Sequence, residues 1–475
     1  MKRMLCMLLL LCLLCTPFLF ACQQEPAAAD PAGSSGAETG GEDDPYLPAK
    51  DMGGYQWRVL TVNGGGSQFE LTPEDVKNDS MLDYLYRRDR FIMDRFNIDI
   101  TALEAVEHYC IATFVMQNML SGDDLFDIGL LYTPENAAQL ISNNLTYDMT
   151  TLPNVNLGNP WYNQQANEEY SIMGRQYFAV SDYPFGGGAF SLMLFNKNMM
   201  AEIGLELPYQ TILDGEWTIE LMQEYSRQAW IDVDNSGSAS IGDRFGFSTH
   251  TYGPAYFYIS MGGVPTVRDE NGAVVPVLDG ERVDQIYSKI YNFVNQPSNF
   301  VNVENDEIEM GTKWFFDGQS LFHYFLRNAS DLLSIETFDY GLAIEPKFDI
   351  DQEEYRVPGA GGVVMISKYI SDPETTGYLL EAFSQATMIM VKPKYGEEYR
   401  RLRILRDPES VEVYDLCQQS LVYDILKNCD PSNMLSSCNW FRTALNSGYT
   451  SVATMAARYK EAVEASFRDF YYPKD

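Results

Sequence analysis

The sequence predicts an α/β chain with room for two lobes, and three observations carry that expectation. About 420 of the 475 residues remain after an N-terminal leader and linker, enough for two α/β lobes. From Tyr55 onward, strand-length apolar or alternating runs are interleaved with amphipathic runs of helix length. The stretch from Gly174 to Leu221 then sets a strand, a Gly/Pro break, a second strand and two capped helices in close succession.

Residues 1–22 read as a targeting segment. Lys2 and Arg3 form its positive end, and the apolar core from Leu5 to Phe20 is shorter than the ~20 residues of a spanning helix. Leu19-Phe20-Ala21-Cys22 resembles a bacterial lipobox, although Phe20 is bulkier than usual there. That resemblance implies cleavage before Cys22, its acylation (palmitate among the chains), and a lipid-anchored protein on the extracytoplasmic face of the cell membrane. Several acyl chains at ~0.8 kcal/mol per buried CH₂ make a stable anchor. A plain secretory signal is the alternative. Residues 23–54 are expected to be a disordered tether, because Gln23–Asp44 has no aromatic residue and too little apolar surface to order itself. No later stretch is apolar and long enough to span a bilayer.

With 33 basic against 67 acidic residues and a net charge of −34, the chain is a poor partner for nucleic acid, where affinity rests on neutralising phosphates. Of the cysteines beyond the leader and Cys22, Cys429 and Cys438 are spaced to close a small loop, with free buried thiols the equal alternative. Cys110 and Cys417 complete the set. There is no CxxC pair, which argues against thiol redox chemistry and a cysteine zinc site.

In the first lobe, Gln56–Val62 alternates as a strand, and Asn63-Gly64-Gly65-Gly66-Ser67 follows it. Glycines there let a ligand approach backbone N–H groups, but no Gly-Lys-Ser/Thr follows to make a phosphate loop. Met81, Leu85, Ile92 and Phe96 share one face of a helix over Ser80–Phe96, and Asn97–Ile100 supplies the next strand. Trp161 either stacks on a ligand or covers the core, the commoner fate of a lone Trp.

Tyr177–Val180 reads as a short strand, Pro184 and Gly186–Gly188 break it, and Ala189–Phe195 is apolar on both faces as a buried strand is. Asn196 suits an N-cap for a helix over Lys197–Ile203 closed by Gly204, and Thr218 caps a helix over Ile219–Ile231. Beyond these, helices are expected over Val283–Phe293, Pro373–Ile389, Glu412–Ile425 and Met455–Tyr471.

Asp232-Val-Asp234-Asn-Ser236-Gly237-Ser238-Ala-Ser240-Ile-Gly-Asp243 is the sharpest local chemical signal. Oxygen-bearing residues stand at positions 1, 3, 5, 9 and 12 of a twelve-residue loop with Gly at 6, the layout of an EF-hand calcium loop. Ser236 replaces an acid and Asp243 is shorter than the usual bidentate Glu, so any Ca²⁺ held by Asp232, Asp234, Ser236, Ser238, Ser240 and Asp243 would bind weakly and brace the loop. A polar turn is the even alternative. No cofactor is otherwise required.

The ordered set over Gly174–Leu221, running from Tyr177 and Pro184 through the buried strand, Asn196-Lys197, Gly204-Leu205 and Pro208 to Trp217-Thr218, resembles extracellular solute-binding proteins of ABC importers, the maltose-binding-protein type (family 1). The run from Leu82 to Ile100, Gly318–Phe322, Asp339–Pro346 and Val357–Lys368 are similar to that family in the same order. The resemblance implies a type II periplasmic-binding-protein-like fold. Lobe 1 would comprise 55–181 plus 358–408, lobe 2 182–357 plus 409–475, with hinges near Ser181 and Val357. It also implies a binder and not an enzyme: a monomer that captures a small solute, with carbohydrate as the expected class, between its lobes and delivers it to an ABC permease. By their place after family-like strands, Tyr132, Tyr183 and Arg327 are candidate cleft residues. Asp182, Tyr256 and Tyr324 join them, with Gly64 and Gly361 for close backbone approach.

Aromatics make up 13% of the chain, and their plates suit the C–H faces of sugar rings. His108, His250 and His323 are scattered, and no H-E-x-x-H, G-x-S-x-G or Cys-His signature is present. Two other classes stay open. One is a surface glycoside-active enzyme using paired carboxylates, which counting 67 acids cannot single out. The other is a peptide or amino-acid binder in which Arg327 grips a carboxylate.

Overall fold

The computed structural model describes residues 44–62, 80–105, 111–131, 137–184, 190–237, 240, 242–250, 252–302, 308–325, 337–359, 362–394 and 405–473. Its strands are β1 (Tyr55–Val62), β2 (Ile98–Ala105), β3 (Ile128–Leu131), β4 (Leu192–Asn196), β5 (Phe245–His250), β6 (Thr266–Arg268) and β7 (Val274–Pro276). They continue as β8 (Asn299–Asn302), β9 (Ser320–Phe325), β10 (Tyr340–Ala343), β11 (Val357–Pro358), β12 (Val363–Ile366) and β13 (Leu421–Val422). All lie in the unit Pro45–Asp475.

Two sheets organise that unit. The first has the order β12-β3-β1-β2, with β1 parallel to both β2 and β3 and β12 antiparallel to β3. The second has the order β10-β4-β9-β5-β8, with β5 parallel to β8 and β9, while β4 runs antiparallel to both β9 and β10. Both faces of the first sheet are covered, so β3 and β12 are buried throughout and their successive side chains enter opposite cores. Trp57, Val59, Ile128, Leu130, Val364 and Ile366 enter one core with Phe96, Leu379 and Phe383. Leu60, Leu131, Val363 and Met365 face the other core, which is continuous with the second sheet's Leu194, Phe247 and Phe322.

Local signals set most element ends. Asn196 Oδ1 accepts from Met199 N, and the helix Lys197–Ile203 stops at Gly204, which takes the left-handed conformation (φ 73°) that glycine adopts without strain. Thr218 Oγ1 caps the helix Ile219–Ala229, two residues shorter than the expected span. Trp217 just before it is fully buried against Phe322 and Tyr225.

Two expected elements differ. Tyr177–Val180 forms a single bridge, Ala179 with Val364, in place of a strand. The Asn167 side chain takes the ladder's place, accepting from Val180 N and donating to Val180 O. The helix expected over Glu412–Ile425 instead spans Pro408–Gln419, because Asp407 caps it and Pro408 opens it. Leu421–Val422 then pairs with β11. Cys417, Cys429 and Cys438 are free buried thiols, so no disulfide closes the 429–438 loop.

Candidate functional site

Strand register defines one shared edge in each sheet. The C-terminal ends of β1, β2 and β3 share one edge with the N-terminal end of β12, since Val363 pairs with Leu131. In the second sheet the C-terminal ends of β5, β8 and β9 share an edge with the start of β4, since Leu192 pairs with Phe325. The chain passes from one of these edges to the other twice, from Ala179 to Leu192 and from β11 to β12. The crossings are tied by the bridge of Phe190 with Gly359. Ligands of open α/β sheets bind outside such carboxyl ends, where topology switches. The candidate site is therefore the junction of these edges.

The segments that follow the strands at this junction, among them 63–79, 132–136, 326–336 and 360–361, lie outside the described residues. With them go Gly64, Tyr132, Arg327 and Gly361, as do Ser238 of the acidic loop and the lipobox Cys22.

The described candidates divide. Asp182 stands at the first crossing, where Lys392 Nζ donates to both carboxylate oxygens at 2.9 and 3.1 Å. Burial pushes its acid up and Lys392 opposes that. Tyr256 is half-buried and lines a small cavity beside both crossings, with Arg356, Gly359, Tyr423, Asp424 and Lys427. That cavity of about 40 Å³ is roughly the space of one water, far below the ~300 Å³ at which ligand pockets begin. It is part of the hinge and not a sugar pocket. Gly359 is needed there for close approach, since a Cβ would sit 2.7 Å from the Tyr423 ring.

Tyr183 is a correction. It is fully buried, stacked on Phe383 at 4.4 Å, and its hydroxyl accepts from Trp57 Nε1 at 2.9 Å. The side chain points into the core under the first sheet, so it offers no face to a ligand. Tyr324 is likewise buried, and its hydroxyl donates to Glu345 at 2.9 Å. Neither is the stacking plate the sequence reading made it. Trp161 also belongs to the protein's interior: its Nε1 donates to the buried carboxylate of Glu381, which Asn159 and Tyr162 also reach.

Sequence reasoning missed the charged groups at the junction. Glu345 follows β10, and burial pushes its acid up to about 7. Asp424 is pushed up to about 7 and Lys427 down to about 8, again by burial. A glutamate set between Ile344 and Pro346 in an apolar run was the one available signal for Glu345. His323 is a satisfied core residue, its Nδ1 2.7 Å from Ser248 O and its pKa pushed down to about 4 by burial.

In the acidic loop, oxygens of Asp232, Asp234 and Asp243 all lie within 4.8 Å of one another. Asp243 accepts from Val233 N and Ser240 N, and Asp232 from Ser236 N and Gly237 N. Hydrogen bonds from Ser236 and Ser240 hold Asp234 down at about 2. Three like charges this close, with backbone donors gathering them, form a cation-compatible cradle.

No family model matches the chain, and no curated protein sequence does. Solved structures do match. The cyclic α-maltosyl-1,6-maltose binding protein of Arthrobacter globiformis superposes with a TM-score of 0.57 at 14% identity, covering 88% of this chain and 100% of that one. The maltose/maltodextrin-binding domain of Bdellovibrio bacteriovorus, solved with maltotriose, gives 0.56 at 12%, covering 87% and 100%. The GacH receptor of Streptomyces glaucescens, solved without ligand and with acarbose, gives 0.55 at 11%, covering 89% and 100%. The fold is that of maltose-type ABC substrate-binding proteins. In that type II periplasmic-binding fold, the junction described above lies between two sheets joined by hinge crossings. No barrel is present among the described residues.

Proposed function

We propose that the chain is the solute-binding component of an ABC importer and that its solute is a carbohydrate. The observation that carries this reading is the meeting of two sheet edges at paired crossings, in a fold shared with proteins solved bound to maltotriose and acarbose. Closure would follow from contacts made to both sheets at once, since only differential affinity shifts an open–closed balance. In this reading the chain binds without altering its ligand, works as a monomer, hands the sugar to a membrane permease, and is tethered through acylated Cys22. No helix among the described residues is long and apolar enough to cross a membrane.

Incubation with a panel of oligosaccharides and peptides tests the assignment. A thermal upshift without product supports sugar binding, with a size set by RT ln(1+[L]/Kd). Released product would favour a glycoside-active enzyme instead, and an upshift with peptides alone would favour a peptide binder. Mass spectrometry of the membrane-extracted N-terminus tests the lipid at Cys22.

We also propose that the Asp232–Asp243 loop takes a structural Ca²⁺ on Asp232, Asp234 and Asp243, with Ser236, Ser238 and Ser240 around them. The convergence of three carboxylates supports it. Millimolar Ca²⁺ should raise the melting temperature more than equal Mg²⁺, and an equal response to both ions would refute a calcium site.

A further inference from the structure

An apolar hollow large enough for a ring-sized occupant lies away from the hinge cavity. It has about 300 Å³ and is lined by Asn439, Trp440, Arg442, Thr443, Met455 and Tyr459, among others. That volume reaches the lower end of small-molecule pockets. Its lining is mostly apolar and aromatic, and Arg442 is the one charged residue among the described residues that line it.

Among the described residues, Arg442 is the one arginine with a buried side-chain nitrogen that lacks a hydrogen-bond partner. Acids outnumber bases two to one, and Arg58, Arg88 and Arg244 each meet a carboxylate. Arg442 has no such pair among the described residues, and its Nε is buried with no hydrogen-bond partner. Asn439 Oδ1, on the same wall, is also buried and unpartnered. The guanidinium instead lies over Tyr252, its Cζ 4.0 Å from the ring centroid, and Tyr252 stacks on His250 at 5.0 Å. His250 is the last residue of β5, so the stack joins the hollow to the sheet edge of the candidate site.

Buried donors and acceptors left unpaired cost free energy, and a site built to pair them with a ligand discriminates strongly for the group that does so. A guanidinium lying over an aromatic ring, with no carboxylate paired to it among the described residues, is matched by a planar carboxylate. Tyr459, half-buried in the lining, supplies the aromatic face against which a sugar ring lies. We propose that this hollow receives a uronate residue of the bound saccharide, its carboxylate on Arg442 and its ring against Tyr459. The proposal rests on the carbohydrate-importer reading and narrows its solute to acidic sugars.

Calorimetry on the whole protein with three matched pairs of short oligomers tests it: galacturonate against galactose, glucuronate against glucose, and mannuronate against mannose. The uronate member of at least one pair should bind about 10- to 100-fold more tightly than its neutral partner, the worth of a charge-assisted hydrogen bond. R442Q should bring that ratio towards one and R442K should keep part of it. The preference is measured on the unmodified chain, so a variant that fails to fold leaves the test intact. If neutral members bind as tightly or more tightly in every pair, the acidic-sugar assignment is overturned and the importer reading stands. If no member of any pair binds, the acidic-sugar assignment is overturned, and the importer reading is decided by the wider oligosaccharide and peptide panel. A sulfated oligomer that outcompetes the uronates overturns the carboxylate in favour of a tetrahedral anion.

Discussion

Replacing Glu345 by Gln isolates the electrostatic cost of the carboxylate beside the second crossing. Glu345 is 1% exposed, accepts one hydrogen bond from Tyr324, and meets no cation among the described residues. Burial therefore favours its neutral form and pushes it up from 4.5 to about 7. The folded chain then binds this proton more tightly than the unfolded chain does. Its contribution to stability is full below about 4.5 and is lost as pH rises through about 7. Roughly 2.5 pH units at about 1.4 kcal/mol each give a loss of about 3 kcal/mol. E345Q is neutral throughout and keeps an acceptor for Tyr324, so it escapes that loss. Urea unfolding of both proteins at pH 4.5, 6, 7 and 8 should show the variant gaining about 3 kcal/mol on the parent across the range. Asp424 and Lys427, which also titrate between neutral and pH 8, are common to both proteins and cancel in the difference. A difference that stays flat with pH would refute the reasoning, because it would mean Glu345 ionises without penalty.

Three further outcomes follow from particular contacts. Y183F removes the acceptor of Trp57 Nε1 and leaves that buried N–H unpaired, so stability should fall by about 1–3 kcal/mol while sugar affinity is unchanged by calorimetry. G246A would set a Cβ 2.2 Å from the carbonyl oxygen of Ser226, forcing the helix Ile219–Ala229 off β5; denaturant melts should show a loss of about 1–3 kcal/mol. D243A takes the acceptor from Val233 N and Ser240 N, so the melting temperature should fall and any calcium-induced upshift should vanish.

Much of the fold was legible because local chemistry and tertiary packing agree there. The Asn196 cap, the Gly204 stop and the Thr218 cap are read directly from residue type, and the structure keeps all three. The helix Ser80–Phe96 was expected from its apolar spacing at those same ends. Tyr177–Val180 misled because a side chain, Asn167, stands in for a neighbouring strand, and no strand-length pattern encodes that. The 408–425 segment misled because pairing with β11 outweighed its helical composition after Gln419.

The site was much less legible, for a reason that Tyr183 and Tyr324 make plain. An aromatic residue near the end of a strand or crossing has the same sequence context whether it faces the interior or a ligand. The cysteines show the same limit, since spacing allowed a bond that the buried, separate thiols do not make. The sequence by itself determined the alternation of elements, their caps and the acidic balance, because these depend on residues a few positions apart. Only the tertiary structure decided that Glu345 meets Tyr324, that Arg442 lies over Tyr252 with no acid paired to it among the described residues, and that Tyr183 is core. Those facts depend on burial and on partners distant in sequence, which are properties of the packed chain.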